Sequence, residues 1–438
     1  MEEARTPEIL FLTCGCPPEQ VGGVEQHTLE LARSFREAGL ETGFYARGDR
    51  GDLGEYSTYQ DEVDGFPVTR VIYRWSKARS LKHIYDDEAL GGVFSRFLER
   101  ARPRVVHVHH LGGLGLSCLK VVKDSGIPLV MTLHDYWMIC PRGQMFHSDL
   151  YSCSTVDPRL CAPCIAATWP ALVPSGGGLP FSPDLPREDL PSVTALHDWL
   201  REILALPDLL LTPSEAARRR FLQFGVPADR IFVEENGLDP EPFEGLRREK
   251  SERLRVGFVG TLIPSKGVHV LLEAFARLPE GRASLLLAGN APPFYQHTQY
   301  MEQVRELASR VPQGNPVKIL GSYRHEDLPA LLAEIDVLVV PPLWEEVFGL
   351  TLREGILSGA AVAASRVGGL PQAVVEGENG FTFPPGDAGA LEEILRRFLE
   401  DPGLASRLGR GPKPVRTIRD LSRSLLDRYR TLAPHLPA

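Results

Sequence analysis

Two glutamates separated by seven residues form the most specific chemical pattern in the sequence. Glu346 and Glu354 lie in the segment PPLWEEVFGLTLREG at 341–355, which leaves an apolar run and opens a predicted helix near Gly349. Because one acid precedes the helix and the other falls in its first turns, both can face the same ligand. Carboxylates accept hydrogen bonds from sugar hydroxyls, and the free N–H groups of a helix start bind phosphate oxygens. Taken alone, the two acids fit better with neutralisation of the helix dipole and a solvated helix face.

Two turns that contain glycine, one in each half of the chain, could approach an anion closely. Gly22 and Gly23 follow the first predicted strand and open a helix, where a backbone without side chains can come near a phosphate. The counterpart in the second half is VGTLIPSKG at 259–267, in which Lys266 could act as a point charge for a diphosphate. A glycine pair is weak evidence by itself, and a solvated surface lysine is the alternative for Lys266.

Four of the seven cysteines lie in one stretch of the chain and could bind a structural zinc ion. They are Cys140, Cys153, Cys161 and Cys164, the last two as Cys-Ala-Pro-Cys. Four thiolates ending in such a pair can hold zinc tetrahedrally and so pin a loop that has little core. The spacings are looser than in a zinc ribbon, and His147 could compete as a ligand. The alternative is four reduced thiols in a variable loop.

Short apolar runs alternate with stretches of helical spacing in both halves, which is typical of parallel α/β units. The predicted strands are 9–12, 105–108, 129–133, 209–211, 256–259, 285–288, 317–320, 337–340 and 361–364. Helical stretches include 268–278, 301–311, 328–335 and 415–432. The pattern predicts an α/β fold with two doubly wound, Rossmann-like domains that face a central cleft. Ligands of such sheets bind at the carboxyl ends of the strands.

Breaks in composition divide the chain into three parts. Residues 1–240 form the first domain, with a Pro-, Gly- and Ser-rich loop insertion at about 140–195. The segment around Asp239–Pro242 and the charged run that follows it predict a linker. Residues 250–413 form the second domain. The final helix, within 414–438, is expected to cross back to the first domain.

Composition and charge exclude several classes of protein. The 438 residues carry a net charge of -9, which argues against nucleic-acid binding. The sequence shows no signal peptide and no apolar window of membrane-spanning length, and the odd cysteine count favours a reducing, cytoplasmic location. The basic stretch Arg74–His83 could contact an anionic acceptor or the inner face of a membrane, and a solvated loop is the alternative. The oligomeric state is left open.

The ordered set of motifs resembles retaining glycosyltransferases of family 4, which have the GT-B fold. The motifs run along nearly the whole chain: Gly22–Glu25, Val106–His109, Thr132–Asp135, Asn236–Asp239, Lys266–Gly267, Leu320–Gly321, Glu346–Glu354 and Gly368–Gly369. The paired glutamates around Phe-Gly-Leu are the most specific of these. A chance match to the whole ordered set is improbable.

The resemblance implies that the first domain, with its insertion at about 140–195, faces the acceptor and that the second domain, 250–413, holds the nucleotide. Glu354 would accept hydrogen bonds from the nucleotide ribose, and Glu346 would hold hydroxyls of the donor sugar. The backbone N–H groups of Phe348, Gly349 and Leu350 would lie beside Glu346. Lys266 would neutralise the diphosphate of the donor.

The resemblance also implies roles for residues near the reacting sugar and the base. Gly22 and Gly23 would let the first domain close over the diphosphate. His134 would bind a sugar hydroxyl or support the reacting centre, and a histidine satisfied by local backbone is the alternative. The backbone near Ser322 and Tyr323 would meet the nucleotide base.

One position departs from the family pattern. Thr261 stands in the donor site where the family usually has an arginine. Lys266 would then carry more of the leaving-group charge, or Arg324 or Arg366 would reach in. The resemblance implies that catalysis uses no metal, so cationic side chains must stabilise the departing diphosphate.

These features predict an enzyme that transfers a hexosyl-type sugar from a nucleoside diphosphate, such as a UDP-sugar, to an acceptor hydroxyl. No carboxylate is assignable as a nucleophile, so no covalent intermediate is expected. The resemblance implies front-face displacement with retention of anomeric configuration. The acceptor class stays open among glycan, glycolipid and small natural product. The alternatives are a sugar-nucleotide epimerase or hydrolase, and a non-catalytic sugar-nucleotide-binding protein on the same fold.

Overall fold

A computed structural model describes residues 7–20, 22–76, 78, 80–170, 172 and 189–436, without the side chains of 189 and 190. The Pro-, Gly- and Ser-rich run at 173–180 and, within the basic stretch, Lys77 and Arg79 lie outside the described residues. The chain divides into two compact units. The first contains residues up to Gly143, Thr155–Leu238 and the segment that begins at Arg416. The second contains Gln144–Ser154 and Asp239–Val415.

The first unit is built on an eight-stranded sheet in the order β3-β4-β2-β1-β5-β6-β7-β8. Its strands are β1 (Ile9–Thr13), β2 (Thr42–Gly48), β3 (Thr58–Val63), β4 (Phe66–Ile72), β5 (Val105–Val108), β6 (Leu129–Thr132), β7 (Leu209–Thr212) and β8 (Ile231–Val233). The pair β3 and β4 is antiparallel and every other pair is parallel. The strand order reverses between β1 and β5, so the loops after these strands diverge and leave room for a site.

Helices cover the first sheet and complete its core. They are α1 (Gly23–Glu37), α2 (Glu88–Ala101), α3 (Ser117–Ser125), α4 (Pro158–Thr168), α5 (Asp189–Leu204), α6 (Glu215–Phe224) and α13 (Ile418–Leu432). The apolar stripe of α13, including Leu421 and Leu425, packs in the same core cluster as α1 and β1. Side-chain caps from Asp87 and Ser214 satisfy the first N–H groups of α2 and α6.

The second unit is built on a six-stranded parallel sheet in the order β11-β10-β9-β12-β13-β14. Its strands are β9 (Leu254–Val259), β10 (Ala283–Ala288), β11 (Val317–Gly321), β12 (Val337–Val340), β13 (Ala361–Ser365) and β14 (Gly380–Phe383). Its helices are α7 (Val268–Phe275), α8 (Tyr300–Ser309), α9 (Leu328–Ala333), α10 (Leu350–Leu357), α11 (Ala388–Glu400) and α12 (Leu404–Gly409). The order reverses between β9 and β12, as in a dinucleotide-binding sheet.

The predicted fold class is confirmed, because two α/β sheets with predominantly parallel pairing are present. Central strands such as β12, whose sequence is VLVV, are apolar on both faces, which a parallel sheet covered by helices requires. Among the described residues, no helix is long and apolar enough to cross a membrane.

Candidate active site

The second unit brings Lys266 and Glu346 together where its strand order reverses. Lys266 ends the short 3₁₀ turn after β9, and Glu346 lies in the loop after β12. Because β9 and β12 are neighbours in the sheet, the two loops begin at adjacent strand ends, on either side of the crevice that a reversal of strand order creates. Lys266 Nζ donates to Glu346 Oε2 at 2.6 Å and lies 5.4 Å from the centre of the Trp344 ring. A cation and a carboxylate that are distant in the sequence are therefore in direct contact in the folded unit.

Backbone contacts fix the Lys266 turn against the loop after β12. The Leu343 N–H donates to the Ser265 carbonyl at 2.8 Å. Gly267 has a positive φ of 71°, and a Cβ there would stand 1.9 Å from the carbonyl oxygen of Pro341. Only glycine permits both the conformation and this close approach. The absence of a side chain at Gly267 therefore allows the Lys266 turn and the loop after β12 to pack this closely.

A second glycine holds the backbone of Glu346 itself. The Gly369 N–H donates to the Glu346 carbonyl at 2.8 Å. Gly368 has a φ of 56°, and a Cβ on it would lie 2.0 Å from the same carbonyl oxygen. The Gly368–Gly369 motif therefore positions Glu346 through its main chain.

Arg353, which the sequence analysis did not select, organises the amino end of α10. Its side chain is 2% exposed, and its guanidinium lies 3.6 Å from the centre of the Phe348 ring and donates to the Phe348 carbonyl. In a trans peptide the carbonyl of Phe348 and the N–H of Gly349 point in opposite directions. Arg353 therefore holds the Phe348–Gly349 peptide with the Gly349 N–H pointing away from its own guanidinium. The one sign of this role in the sequence is that an arginine stands among the largely apolar residues of α10.

Glu354 and Tyr323 lie close enough to influence each other. Glu354 is 9% exposed and sits one turn into α10. Burial raises the pKa of Tyr323 to about 12, and the charge of Glu354 adds to the increase. Ser322 is exposed at the end of β11. The residues assigned by resemblance to the ribose and to the base are thus neighbours in the second unit.

The first unit gathers histidines at the carboxyl ends of β5 and β6. His109 Nδ1 lies 2.8 Å from His134 Nε2, and their rings are nearly parallel with centres 5.0 Å apart. His27, on the helix that opens at Gly23, presents its ring edge-on to His134 at 5.5 Å. His107 lies behind His109 with ring centres 4.2 Å apart. Of these four, the sequence analysis selected His134 alone for the site.

Family comparisons cover both units of the chain. Residues 22–237 match the glycosyl transferase 4-like domain, and residues 244–413 match glycosyl transferases group 1. The chain belongs to the family 4 glycosyltransferases of the GT-B type. The predicted family is thus confirmed, and the paired glutamates lie inside the group 1 match.

Curated relatives of this glycosyltransferase align over part of its length. D-inositol 3-phosphate glycosyltransferase of Streptomyces avermitilis is 30% identical over 240 residues, which are 52% of this chain and 52% of the relative. Glycogen synthase of Mycobacterium tuberculosis is 32% identical over 227 residues, 50% of this chain and 52% of the relative. The chain therefore spans about half the length of the curated relatives it matches.

Solved structures match the fold along almost the whole glycosyltransferase chain. HepE of Anabaena in complex with UDP and glucose has a TM-score of 0.66 and 19% identity, covering 96% of this chain and 99% of that one. Sucrose-phosphate synthase of Thermosynechococcus elongatus has a TM-score of 0.69 and 18% identity, covering 98% and 99%. At these identities the likeness concerns the fold.

Thr261 occupies the position of the usual arginine, and none of the hydrogen bonds or ion pairs found among the described residues joins an arginine to Lys266. Arg324 pairs with Glu326 at the surface, and Arg366 donates to Thr382 Oγ1 at 3.0 Å. Neither guanidinium contacts Lys266 or Glu346 within the described ranges. The structure therefore brings neither of the two candidate arginines to the ion pair.

The cysteine stretch of this glycosyltransferase shows no metal-binding arrangement in the described part of the chain. No group of three or more His, Cys, Asp or Glu side chains there could hold a metal ion. Cys153 falls in the second unit, whereas Cys140, Cys161 and Cys164 fall in the first. Structural zinc stays a prediction from the cysteine spacing, which metal analysis of the purified protein tests.

The basic stretch is engaged within its own unit where it is described. Arg74 donates to the carbonyls of Leu53 and Arg50, at 3.1 and 2.7 Å. Lys82 lies 5.1 Å from the centre of the Trp199 ring. These contacts favour a structural role for both cations.

The histidine cluster predicts a loss of stability in mild acid. Burial lowers the pKa of His27 to about 4 and that of His107 to about 3. The unfolded chain binds these protons below about pH 6.5, whereas the folded chain does not. The free energy of unfolding therefore has its full value above that pH and falls as the pH drops towards 4. We expect urea unfolding to show a loss of about 2 kcal/mol from His27 alone at about pH 5. If His27→Leu has the same pH dependence as the parent protein, His27 is not part of this effect.

Proposed function

We propose that this protein transfers a sugar from a nucleoside diphosphate to an acceptor hydroxyl with retention of anomeric configuration. The observation that carries the proposal is the Lys266–Glu346 pair of 2.6 Å beside the amino end of α10. A cation and free helix N–H groups suit a diphosphate, and a neighbouring carboxylate suits sugar hydroxyls. A nucleotide sugar carries both of these groups, the diphosphate and the sugar hydroxyls.

Each donor-site residue has a proposed part in holding the nucleotide sugar. Glu354 accepts hydrogen bonds from the ribose, and the backbone at Ser322 and Tyr323 meets the base. Glu346 holds hydroxyls of the sugar. The likeness of fold to HepE, solved with UDP and with UDP-glucose, supports testing UDP-sugars first. Thr261 contributes no charge, so the donor diphosphate depends more strongly on Lys266.

The proposed reaction is a front-face displacement that keeps the anomeric configuration. The bond from the anomeric carbon to the diphosphate oxygen breaks as the acceptor oxygen bonds to the same face of that carbon. The departing phosphate oxygen takes the acceptor proton, so no protein nucleophile is required. Lys266 and the amide N–H groups of Phe348, Gly349 and Leu350 stabilise the negative charge that develops on the diphosphate. His134 supports the reacting sugar, and Gly22 and Gly23 allow a close approach to the phosphates.

The acceptor is proposed only as a hydroxyl compound. The names of the two curated relatives point to different acceptors, an inositol phosphate and a glucan. A glycan, a glycolipid and a small natural product all supply the required hydroxyl. We place the enzyme in the cytoplasm on its thiol and charge composition, with access to acceptors at the inner face of the membrane.

Two linked experiments test the proposed function. A thermal-shift screen with UDP-, GDP-, ADP- and TDP-sugars selects the donor, since a bound ligand raises the melting temperature by mass action. The selected donor is then incubated with saccharide, polyol and glycolipid acceptors, and the product linkage is determined by NMR. We expect the anomeric configuration of the donor in the product.

Each other product would favour a different function on the same fold. An inverted linkage would overturn the front-face mechanism. Free sugar as the main product would indicate a hydrolase, and an epimerised donor would indicate an epimerase. Donor binding without turnover on any acceptor would indicate a non-catalytic nucleotide-sugar-binding protein.

A further inference from the structure

The hydrogen bond between His109 and His134 constrains where the protons of both rings lie. Burial holds the pKa of each ring well below its ordinary value, so both imidazoles are neutral near pH 7. A neutral imidazole carries one N–H and one bare nitrogen. Only two arrangements then make the 2.8 Å contact between His109 Nδ1 and His134 Nε2.

The surroundings of His109 distinguish the two arrangements. If His134 Nε2 were the donor, the single proton of His109 would lie on its own Nε2. That nitrogen is buried and has no hydrogen-bond partner among the described residues. A buried N–H without an acceptor is the rarer kind of unsatisfied group in proteins. The arrangement with His109 Nδ1–H as donor therefore agrees better with the structure.

We infer that His109 is a positioning residue that holds His134 as its Nδ1–H tautomer. With His134 Nε2 accepting from His109, the proton of His134 must lie on Nδ1. His134 is partly exposed as a residue whereas His109 is buried, so of the two it is His134 that a ligand can reach. His134 then presents a hydrogen-bond donor to an oxygen of the donor sugar. The inference rests on the proposed function where it places His134 at that sugar.

Packing on every side keeps His109 in the required orientation. His109 is 2% exposed, and its backbone N–H donates to the Leu12 carbonyl at 2.8 Å. His107, whose ring lies tilted against that of His109, is itself held at both nitrogens. Its Nδ1 lies 2.5 Å from Tyr429 Oη and its Nε2 lies 2.8 Å from Thr132 Oγ1. The final helix α13 thus supports the cluster through Tyr429.

The tautomer can be measured directly, without turnover. In protein labelled with ¹⁵N-histidine, long-range ¹H–¹⁵N correlations distinguish Nδ1–H from Nε2–H rings, and the His134→Gln spectrum assigns the His134 signals. We expect the Nδ1–H form of His134 near neutral pH. A spectrum that shows the Nε2–H form in the parent protein would overturn the inference.

Substitutions at His109 test whether the tautomer matters for the reaction. His109→Leu removes the donor, whereas the amide N–H of His109→Asn can occupy the position of Nδ1. We expect His109→Leu to shift His134 towards the Nε2–H form and to lower kcat/KM about tenfold, the size of one hydrogen bond. His109→Asn should restore the tautomer and most of the rate. His197→Leu is the matched control, because His197 is also buried in this unit but lies in α5.

The outcomes separate this inference from the proposed function. If His134→Gln lowers kcat/KM and His109→Leu does not, the positioning role of His109 is wrong. If His134→Gln turns over normally, His134 does not meet the donor sugar and that part of the proposed function is wrong. The tautomer spectrum decides the hydrogen-bond arrangement in either case.

Discussion

Lys266→Ala is expected to lower kcat for sugar transfer by about a hundredfold to a thousandfold, the effect of removing one stabilising group from a transition state. The diphosphate gains negative charge as the bond to the sugar breaks, and Lys266 is the cation that the structure holds at Glu346. Because Thr261 replaces the usual arginine, no second guanidinium at that position compensates. The donor KM should change less than kcat, since most of the charge develops after binding.

Two further variants test whether the effect of Lys266→Ala is specific to the donor site. Lys250→Ala is the matched control, because Lys250 belongs to the same unit and is exposed. Introducing Thr261→Arg into Lys266→Ala should recover part of the lost rate if the position of Thr261 faces the diphosphate. Near-normal turnover of Lys266→Ala by itself would remove Lys266 from the site.

Glu354→Leu is expected to weaken nucleotide binding about a hundredfold, which corresponds to the loss of two hydrogen bonds to a charged acceptor. Glu354 is 9% exposed on α10, so leucine fits the helix and removes the carboxylate without adding a polar group. The ribose takes no part in bond breaking, so kcat at saturating donor should fall much less than affinity does. Calorimetry with the nucleotide that stabilises the protein most measures the effect.

A neighbouring acid provides the comparison for Glu354→Leu. Glu345→Gln alters a carboxylate in the loop before α10 that has no assigned role, and we expect affinity within about threefold of the parent protein. Equal losses for Glu345→Gln and Glu354→Leu would indicate a general effect of charge. An unchanged affinity in Glu354→Leu would show that Glu354 does not hold the ribose.

Most central strands were predictable because their residues are largely apolar. The runs at Val105–Val108 and Val337–Val340 appear as strands with the predicted ends. The sequence analysis did not select β3, whose residues alternate between exposed and partly buried at the edge of its sheet. An edge strand that is half solvated has no continuous apolar signal. The predicted helix at 268–278 ends at Phe275, since helix ends depend on local capping more than on periodicity.

The residues proposed to contact the donor were largely identifiable from motifs, but the residues that hold them in position were not. Arg353 and His109 lie within the motifs Glu346–Glu354 and Val106–His109, but neither was given a role, because each acts through a neighbour. Arg353 is buried against Phe348, a contact that its spacing along the chain does not reveal. His109 contacts His134 only because β5 and β6 are adjacent.

By itself the sequence determined the family, the alternation of strands and helices, and which glutamates, lysine and histidine to test. These properties depend on residue type and on spacing within one element, which the linear order contains. The tertiary structure alone decided that Lys266 lies 2.6 Å from Glu346, 80 positions along the chain. It also decided that His109 and His134 share a hydrogen bond. Such contacts depend on which strands become neighbours in a sheet, and strand order is settled by the packing of the whole unit.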